Sequence, residues 1–188
     1  MTDEMLLLVD EMEENMQKAQ EAMKTDFAAI RTGKASPALV ENITVEYYGA
    51  KSRIRDIAGI ATPEARLITI QPWDQSAVKL IEKAIQESNL GISPVSDGRV
   101  IRLPIPPLSQ ERRQTLGKQV KTRAEEARVA VRNIRRDANE AAKKAQKASE
   151  LTEDELKDML EKIQKVTDKN IANIDVNMEE KEKELMAF

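Results

Sequence analysis

The sequence predicts an α+β protein: a long three-helix bundle with a small β/α/β domain inserted after its first helix. Three observations predict it. Residues 3–30, 109–147 and 152–185 are charged stretches whose apolar or small residues recur at alternating steps of three and four. Residues 31–104 read instead as short runs rich in Ile, Val, Thr and Tyr, separated by Gly and Pro. The two textures meet at Gly33 to Pro37 and again at Pro104, Pro106 and Pro107. Helices of roughly 28, 38 and 34 residues would span about 40–55 Å at 1.5 Å per residue, so they need one another as full-length partners. The expected boundaries are 1–30 with 108–188 for the bundle and 31–107 for the small domain. Both connections would enter one end of the bundle, giving an elongated two-lobed molecule with a two-strand hinge.

In the first helix Met5, Val9, Met12, Met16, Ala19, Met23 and Ile30 form the stripe, with Phe27 beside it. Five of the eight Met lie at 1, 5, 12, 16 and 23, where core filling is the ordinary reading. The helix should end near Arg31, Thr32, Gly33, Lys34 and Ala35, and Ser36-Pro37 should cap a short turn through Glu41. Ile43–Tyr48 and Lys51–Ile54 read as a hairpin across Gly49-Ala50. Ile57–Thr62 and Arg66–Gln71 read as two further strands split by Pro63-Glu64. After the turn Pro72-Trp73-Asp74, Asp74 or Ser76 caps a helix to about Ser88, with Val78, Ile81, Ala84 and Ile85 as its apolar face. Trp73 suits either a core or a domain-surface anchor. Val95–Arg99 reads as a turn into a last strand, Val100–Leu103. Pro104, Ile105, Pro106 and Pro107 make a stiff extended connector.

Ser109 opens the second long helix, with Glu111 near its favourable N-terminal end and Arg112, not Glu, at the capping-box position. Its stripe is Leu116, Val120, Ala124, Ala127, Val131, Ile134, Ala138, Ala141, Ala145 and Ala148. Ser149-Glu150-Leu151 is the turn, and Thr152 to Glu155 form a capping box that opens a third helix running to about Leu185. Leu156, Met159 or Leu160, Ile163, Val166, Ile171, Ile174 and Met178 supply its stripe, interrupted by Asn170 and Asn173 as register-setting polar positions.

Composition narrows the chemistry. The chain has 34% charged and 3% aromatic residues, which suits a helical bundle. It has no His and no Cys. Thiolate nucleophiles, imidazole bases and Cys/His metal sites are therefore excluded. Carboxylate-only cation sites stay open, but no loop has calcium-hand spacing, and no metal or cofactor is expected. Glu153, Asp154 and Glu155 are explained by capping. No run approaches the ~20 apolar residues of a membrane span. The Leu6–Val9 run sits between acids and makes no signal peptide, so a cytoplasmic address is expected. The absence of a transit peptide favours a bacterial source.

Net charge is −3, but it is unevenly placed. Residues 112–147 hold 12 Lys/Arg against 4 Asp/Glu, leaving 18 against 29 elsewhere. With Val131 set at zero on a helical wheel, Lys118, Lys121, Arg128, Arg132, Arg135, Arg136 and Lys143 fall between roughly 40° and 140°. Glu125 alone of the acids shares that face; Glu126, Asp137 and Glu140 lie on the far side. The plain reading is a solvated face, or ion pairs with acidic helices. Against it stands the choice of Arg at 128, 132, 135 and 136, whose planar fork grips phosphates and stacks on bases. A polyanion contact is expected there, with structured RNA favoured over duplex DNA because no base-reading helix start is present. Arg31-Thr32-Gly33-Lys34 lacks the spacing of a phosphate loop. Two other readings remain. One is a coiled-coil-like interaction or chaperone protein whose basic stripe meets an acidic partner. The other is a nucleotide hydrolase, which would require turnover by the isolated chain.

RTGKASPALVENITVEYYG at 31–49, PIPPLSQERR at 104–113, ARVAVRNIRRDAN at 127–139 and KEKELMAF at 181–188 together resemble the bacterial ribosome recycling factor family, in order and over essentially the whole chain. Departures are confined to the 95–99 turn and the Lys143–Leu151 segment. The resemblance implies an L-shaped, non-enzymatic monomer. It would bind the large ribosomal subunit after termination and, with elongation factor G and GTP, split the ribosome for reuse. It carries rRNA contact to Arg132, Arg135 and Arg136, with Arg128 just upstream; Lys121 and Lys143 extend that face. It carries the hinge to Arg31, Thr32, Gly33, Lys34 and Ala35 and to Leu103, Pro104, Ile105, Pro106 and Pro107. No membrane contact is expected.

Overall fold

The computed structural model describes residues 3–187; Met1, counted above among the first-helix methionines, and Phe188, at the end of the KEKELMAF motif, lie outside them. In chain order the elements are α1 (Asp3–Ala28), β1 (Thr44–Tyr47), β2 (Ala50–Arg53), α2 (Ile54–Ile57), β3 (Ala58–Glu64), β4 (Leu67–Pro72), α3 (Ala77–Glu87), β5 (Val95–Ser96), β6 (Ile101–Pro104), α4 (Gln110–Lys147) and α5 (Glu153–Met186). The chain forms two compact units. One holds the residues up to Phe27 with Thr115–Glu184; the other holds Ala28–Gln114 with the chain end from Leu185.

The first unit is helical. Arg128 of α4 pairs with Asp175 of α5 at 2.7 Å and Lys121 with Glu182 at 3.3 Å, so these two helices run antiparallel. Lys169 of α5 reaches Glu13 of α1 at 3.4 Å, and Arg123 of α4 pairs with Asp26 of α1. Each helix thus touches the other two, as helices of this length require. The buried stripe of α1 is Met12, Met16, Gln20, Met23 and Phe27. Gln20 and Phe27 take the places expected for Ala19 and Ile30. The steps of 4, 4, 3 and 4 follow the 3.6-residue turn of a nearly straight helix, which drifts from a strict seven-residue repeat. The same drift moves the α4 stripe from Ala141 to Ala142, leaves Ile134 half-buried and Ala148 exposed past the helix end. In α5 the buried positions are Met159, Ile163, Thr167, Asn170, Ile174 and Leu185, while Val166, Ile171 and Met178 are half-buried.

The buried Thr167, Asn170 and Gln20 side chains have hydrogen-bond partners within the helical unit. Thr167 Oγ1 donates to Ile163 O at 2.7 Å, and Asn170 Nδ2 donates to Val166 O at 2.7 Å. Asn170 Oδ1 accepts from Gln20 Nε2, so the polar interruption expected at Asn170 has its partner on α1. Asn173 is exposed. At the α4 end, Ser149 adopts φ 61°, Glu150 N donates to Ala145 O at 2.9 Å and Ser149 N to Gln146 O at 3.0 Å. This left-handed helix stop leads directly into the capping box. There Thr152 N donates to Glu155 Oε2 at 3.0 Å and Glu155 N to Thr152 Oγ1 at 3.2 Å.

The second unit carries a β1–β2 hairpin and a four-stranded antiparallel sheet in the order β3-β4-β6-β5. Its core is Ile-rich, with Ile54, Ile68, Ile70, Ile81, Ile85, Ile101 and Leu103 inaccessible to solvent. The hairpin turns at Tyr48 (φ 49°) and Gly49 (φ 75°), the paired left-handed conformation that matches strand twist. Three expectations are corrected. Pro63 and Glu64 lie inside β3, and the chain reverses at Ala65-Arg66 instead. A proline is tolerated there because β3 is an edge strand with a register shift between Ala61 and Glu64. Ile57 closes a single helical turn, α2, rather than opening a strand. Val95–Ser96, read as turn, also pairs with β6.

Trp73 is not a core residue; it is 74% exposed. Asp74, not Ser76, covers the start of α3: its Oδ1 accepts from Ser76 N at 2.9 Å and its Oδ2 from Tyr47 Oη at 2.7 Å. The Ser76 backbone N–H, and then the Tyr47 hydroxyl, hold the Asp74 carboxyl down at about 2. The stabilisation this carries is present above the unfolded-state value of about 3.9 and is lost as pH falls through 2. Stability of the wild type should therefore fall more steeply between pH 4 and 2 than that of Asp74→Asn. Parallel curves for the two proteins in urea titrations at each pH would reject this role for the carboxylate.

Candidate nucleic-acid interface

Helix α4 projects the basic face because the stripe beside it is committed to the core. Leu116, Val120, Ala124, Ala127, Val131, Ala138, Ala142 and Ala145 are buried. Ser109 Oγ accepts from Arg112 N at 3.2 Å and starts the helix. Small residues on the buried stripe let α1 and α5 approach closely, and the long basic side chains beside it extend outward.

The six expected contact residues differ in availability. Lys143 and Lys121 are exposed, Lys121 being paired to Glu182 at 3.3 Å. Arg136 keeps 66% side-chain exposure, with only a 3.8 Å contact to Asp137. Arg135 is half-buried, and neither it nor Lys143 has a carboxylate partner among the described residues. Arg132 keeps 44% side-chain exposure while its Nη1 donates to Glu125 Oε1 at 2.9 Å. Arg128 is different. Its side chain is only 16% exposed, Nε donates to Asp175 Oδ1 at 2.8 Å, and Nη1 donates to Glu125 Oε2 at 2.9 Å. Burial lowers its pKa, but Asp175 and Glu125 together outweigh burial and raise it. The bidentate fork of Arg128 is thus spent inside the helical unit.

Glu125, noted in the sequence as the lone acid on this face, is its organiser. It bridges Arg132 and Arg128 through its two oxygens, and their guanidinium groups, Arg132 first, lower its pKa. The arrangement holds Arg132 at a fixed height on the face with its remaining N–H groups free to point outward. Val129, one turn before Arg132, is 45% exposed and adds an apolar contact; a valine on a charged face was the available signal in the sequence. Replacing Arg128 with alanine should cost about 1 kcal/mol of stability by removing the partner of half-exposed Asp175, while Glu125 keeps Arg132. Thermal melting beside a polyanion-binding titration checks this, with binding falling less than for Arg132→Ala.

The two expected hinge segments lie within the second unit. Ala35 N donates to Ala65 O at 2.7 Å and Ile105 N to Arg66 O at 2.7 Å. Leu103 and Ile105 are core residues, and Pro104 ends β6. Arg31 is half-buried and donates from Nη2 to Pro106 O at 3.1 Å and from Nη1 to Leu90 O at 3.4 Å. Thr32 is buried, Lys34 and Pro107 are exposed, and Gly33 takes φ 87°. Among the described residues no group of three or more His, Cys, Asp or Glu is placed to hold a metal ion. No described helix is long and apolar enough to cross a membrane.

A family model for the ribosome recycling factor matches residues 23–186. The chain belongs to the ribosome recycling factor family. It is 54% identical to the ribosome-recycling factor of Halalkalibacterium halodurans over 179 residues, 95% of this chain and 97% of that one. It is 52% identical to that of Nitratidesulfovibrio vulgaris over 174 residues, 93% and 94% of the two chains. A solution structure of the ribosome recycling factor superposes with a TM-score of 0.79 at 47% identity, covering 100% of both chains. Models of the T. thermophilus ribosome recycling factor, described with E. coli elongation factor G bound to the E. coli post-termination complex, give a TM-score of 0.69 at 45% identity, covering 96% of this chain and 98% of that one. The long helices with a small sheet-bearing part are those of this family.

Proposed function

We propose that this chain recycles ribosomes after termination: it binds the large subunit and, with elongation factor G and GTP, separates the post-termination ribosome into subunits. The observation that carries the reading is full-length similarity to ribosome-recycling factors, joined to a basic α4 face on which Arg132 and Arg136 stay exposed. The chain is a translation factor, not an enzyme. Its work is to dock and to transmit movement, while the GTPase partner supplies the energy.

On this reading Arg132, Arg135, Arg136, Lys121 and Lys143 meet rRNA phosphates. Arg128 supports them from behind by fixing Glu125, which in turn positions Arg132. The α4 helix gives a stiff mount, since every element of its buried face is packed. The chain crosses between its two units after Phe27, after Gln114 and after Glu184. We propose that flexing between the units occurs at residues 28–30, where α1 ends, beside Arg31–Ala35, which is tied into the small unit through Ala35 N and Ala65 O. A cytoplasmic address follows from the ribosomal partner.

Co-sedimentation with isolated large subunits tests the docking. The chain should pellet with them at low salt and be released progressively as salt rises, as counterion release requires. Failure to pellet at any salt concentration would remove the proposed contact.

A further inference from the structure

We propose that the corner formed by Tyr48, Trp73 and Asp74 on the second unit binds arginine side chains of a partner polypeptide, as a contact separate from the basic face of α4. Tyr48 is 81% exposed and Trp73 74% exposed, the two most exposed large apolar side chains among the described residues. Both adjoin Asp74. Tyr48 Oη donates to Asp74 Oδ2 at 3.3 Å, and Trp73 precedes Asp74 in the chain. Tyr47 packs edge-on against Tyr48, with ring centroids 4.5 Å apart at 71°, and shares the same Oδ2. Two tyrosines therefore share one carboxylate, and the chain's single tryptophan is its neighbour in sequence, in a chain only 3% aromatic.

Core packing accounts for Tyr47, which lies against the core, but not for the exposed Tyr48 and Trp73. Folding would ordinarily turn a tryptophan inward, and an exposed apolar patch marks a contact surface. The chemistry of the corner selects the occupant. Two π faces beside an ionised carboxylate attract a planar cation, which stacks on a ring and donates N–H groups to the oxygens. Asp74 Oδ1 accepts from Ser76 N at 2.9 Å, and the two carboxylate oxygens together offer about four acceptor positions. The Tyr48 hydroxyl, having donated its hydrogen to Asp74, presents its oxygen as an acceptor. No Lys or Arg occurs in 46–50 or 71–76, and Asp74 has no cationic ion-pair partner among the described residues. Glu46 on the same hairpin lies opposite Lys51 across the strands, so Asp74 is the charge that selects the cation. A phosphate-bearing strand would meet the unpaired Asp74 carboxylate, so stacked nucleotides are disfavoured.

Trp73 is the chain's single tryptophan, so its emission reports on this corner alone. The full chain is titrated with the pentapeptide Gly-Arg-Gly-Arg-Gly, with the same peptide bearing citrulline for arginine, and with oligoadenylate. The expected result is a saturable emission change with the arginine peptide, about tenfold weaker with citrulline, and none with oligoadenylate. Tyr48→Asn should weaken arginine-peptide binding by a similar factor, about tenfold. Asparagine suits the positive φ at 48 and gives an Asn-Gly turn, so the hairpin is retained. Equal responses to the arginine and citrulline peptides, a response to oligoadenylate alone, or unchanged binding by Tyr48→Asn would each overturn the proposal. The peptide comparison needs no variant and is read on the wild-type chain.

Discussion

Changing Arg132, Arg135 and Arg136 together to alanine is expected to lower affinity for the large ribosomal subunit by about two to three orders of magnitude near physiological salt. Each lost phosphate contact removes close to one unit from the slope of log affinity against log salt, so the triple variant should lose about two to three units. Stability should hardly move. Arg132 and Arg136 keep 44% and 66% side-chain exposure, and exposed ion pairs contribute little, at most about 1 kcal/mol. Arg132 alone should account for about one unit of slope. The pairing with Glu125 sharpens the expectation further: Glu125→Gln frees Arg132 from a competing carboxylate while loosening its position. An unchanged slope in the triple variant would mean that the face serves only solubility.

Inside the helical unit, Asn170→Leu is expected to cost about 2–3 kcal/mol. Asn170 is 2% exposed and accepts from Gln20, which is 6% exposed. The leucine would leave the Gln20 amide buried with no partner, and an orphaned buried polar group carries its full desolvation cost. Replacing both residues, Gln20→Leu with Asn170→Leu, should recover most of that loss, since an apolar pair of similar size leaves nothing unsatisfied. Denaturant melts of the two singles and the double measure the coupling. A double variant as unstable as the sum of the singles would show that the pair makes no direct contribution.

Much of this was legible because helical periodicity is a long, redundant signal. Thirty or more residues vote on each of the α4 and α5 stripes, and the capping box at Thr152 and Glu155 marks its own boundary. The phase was harder. A strict heptad placed Ala19 and Ala141 inward, whereas a straight helix turned Gln20 and Ala142 inward. In the small unit the signal is short and local rules compete. Pro63 reads as a strand breaker, yet an edge strand with a bulge accommodates it. The basic face was visible as a sorted charge pattern, but its division of labour was not. Sequence spacing puts Arg128 and Arg132 on one face one turn apart, and only the position of Asp175, forty-seven residues away, separates a structural arginine from an available one. The Tyr47, Tyr48 and Asp74 cluster was hidden for the same reason: its members meet through hairpin and loop, not through spacing.

Subunit splitting by purified components tests the account most directly. Post-termination ribosomes are mixed with the chain, elongation factor G and GTP, and light scattering follows the loss of intact ribosomes. The account predicts a fall in scattering that requires all three additions, slows strongly with the Arg132, Arg135 and Arg136 triple variant, and proceeds without GTP turnover by the chain alone. Intact ribosomes in the complete mixture, with the chain folded and present in excess, would contradict it.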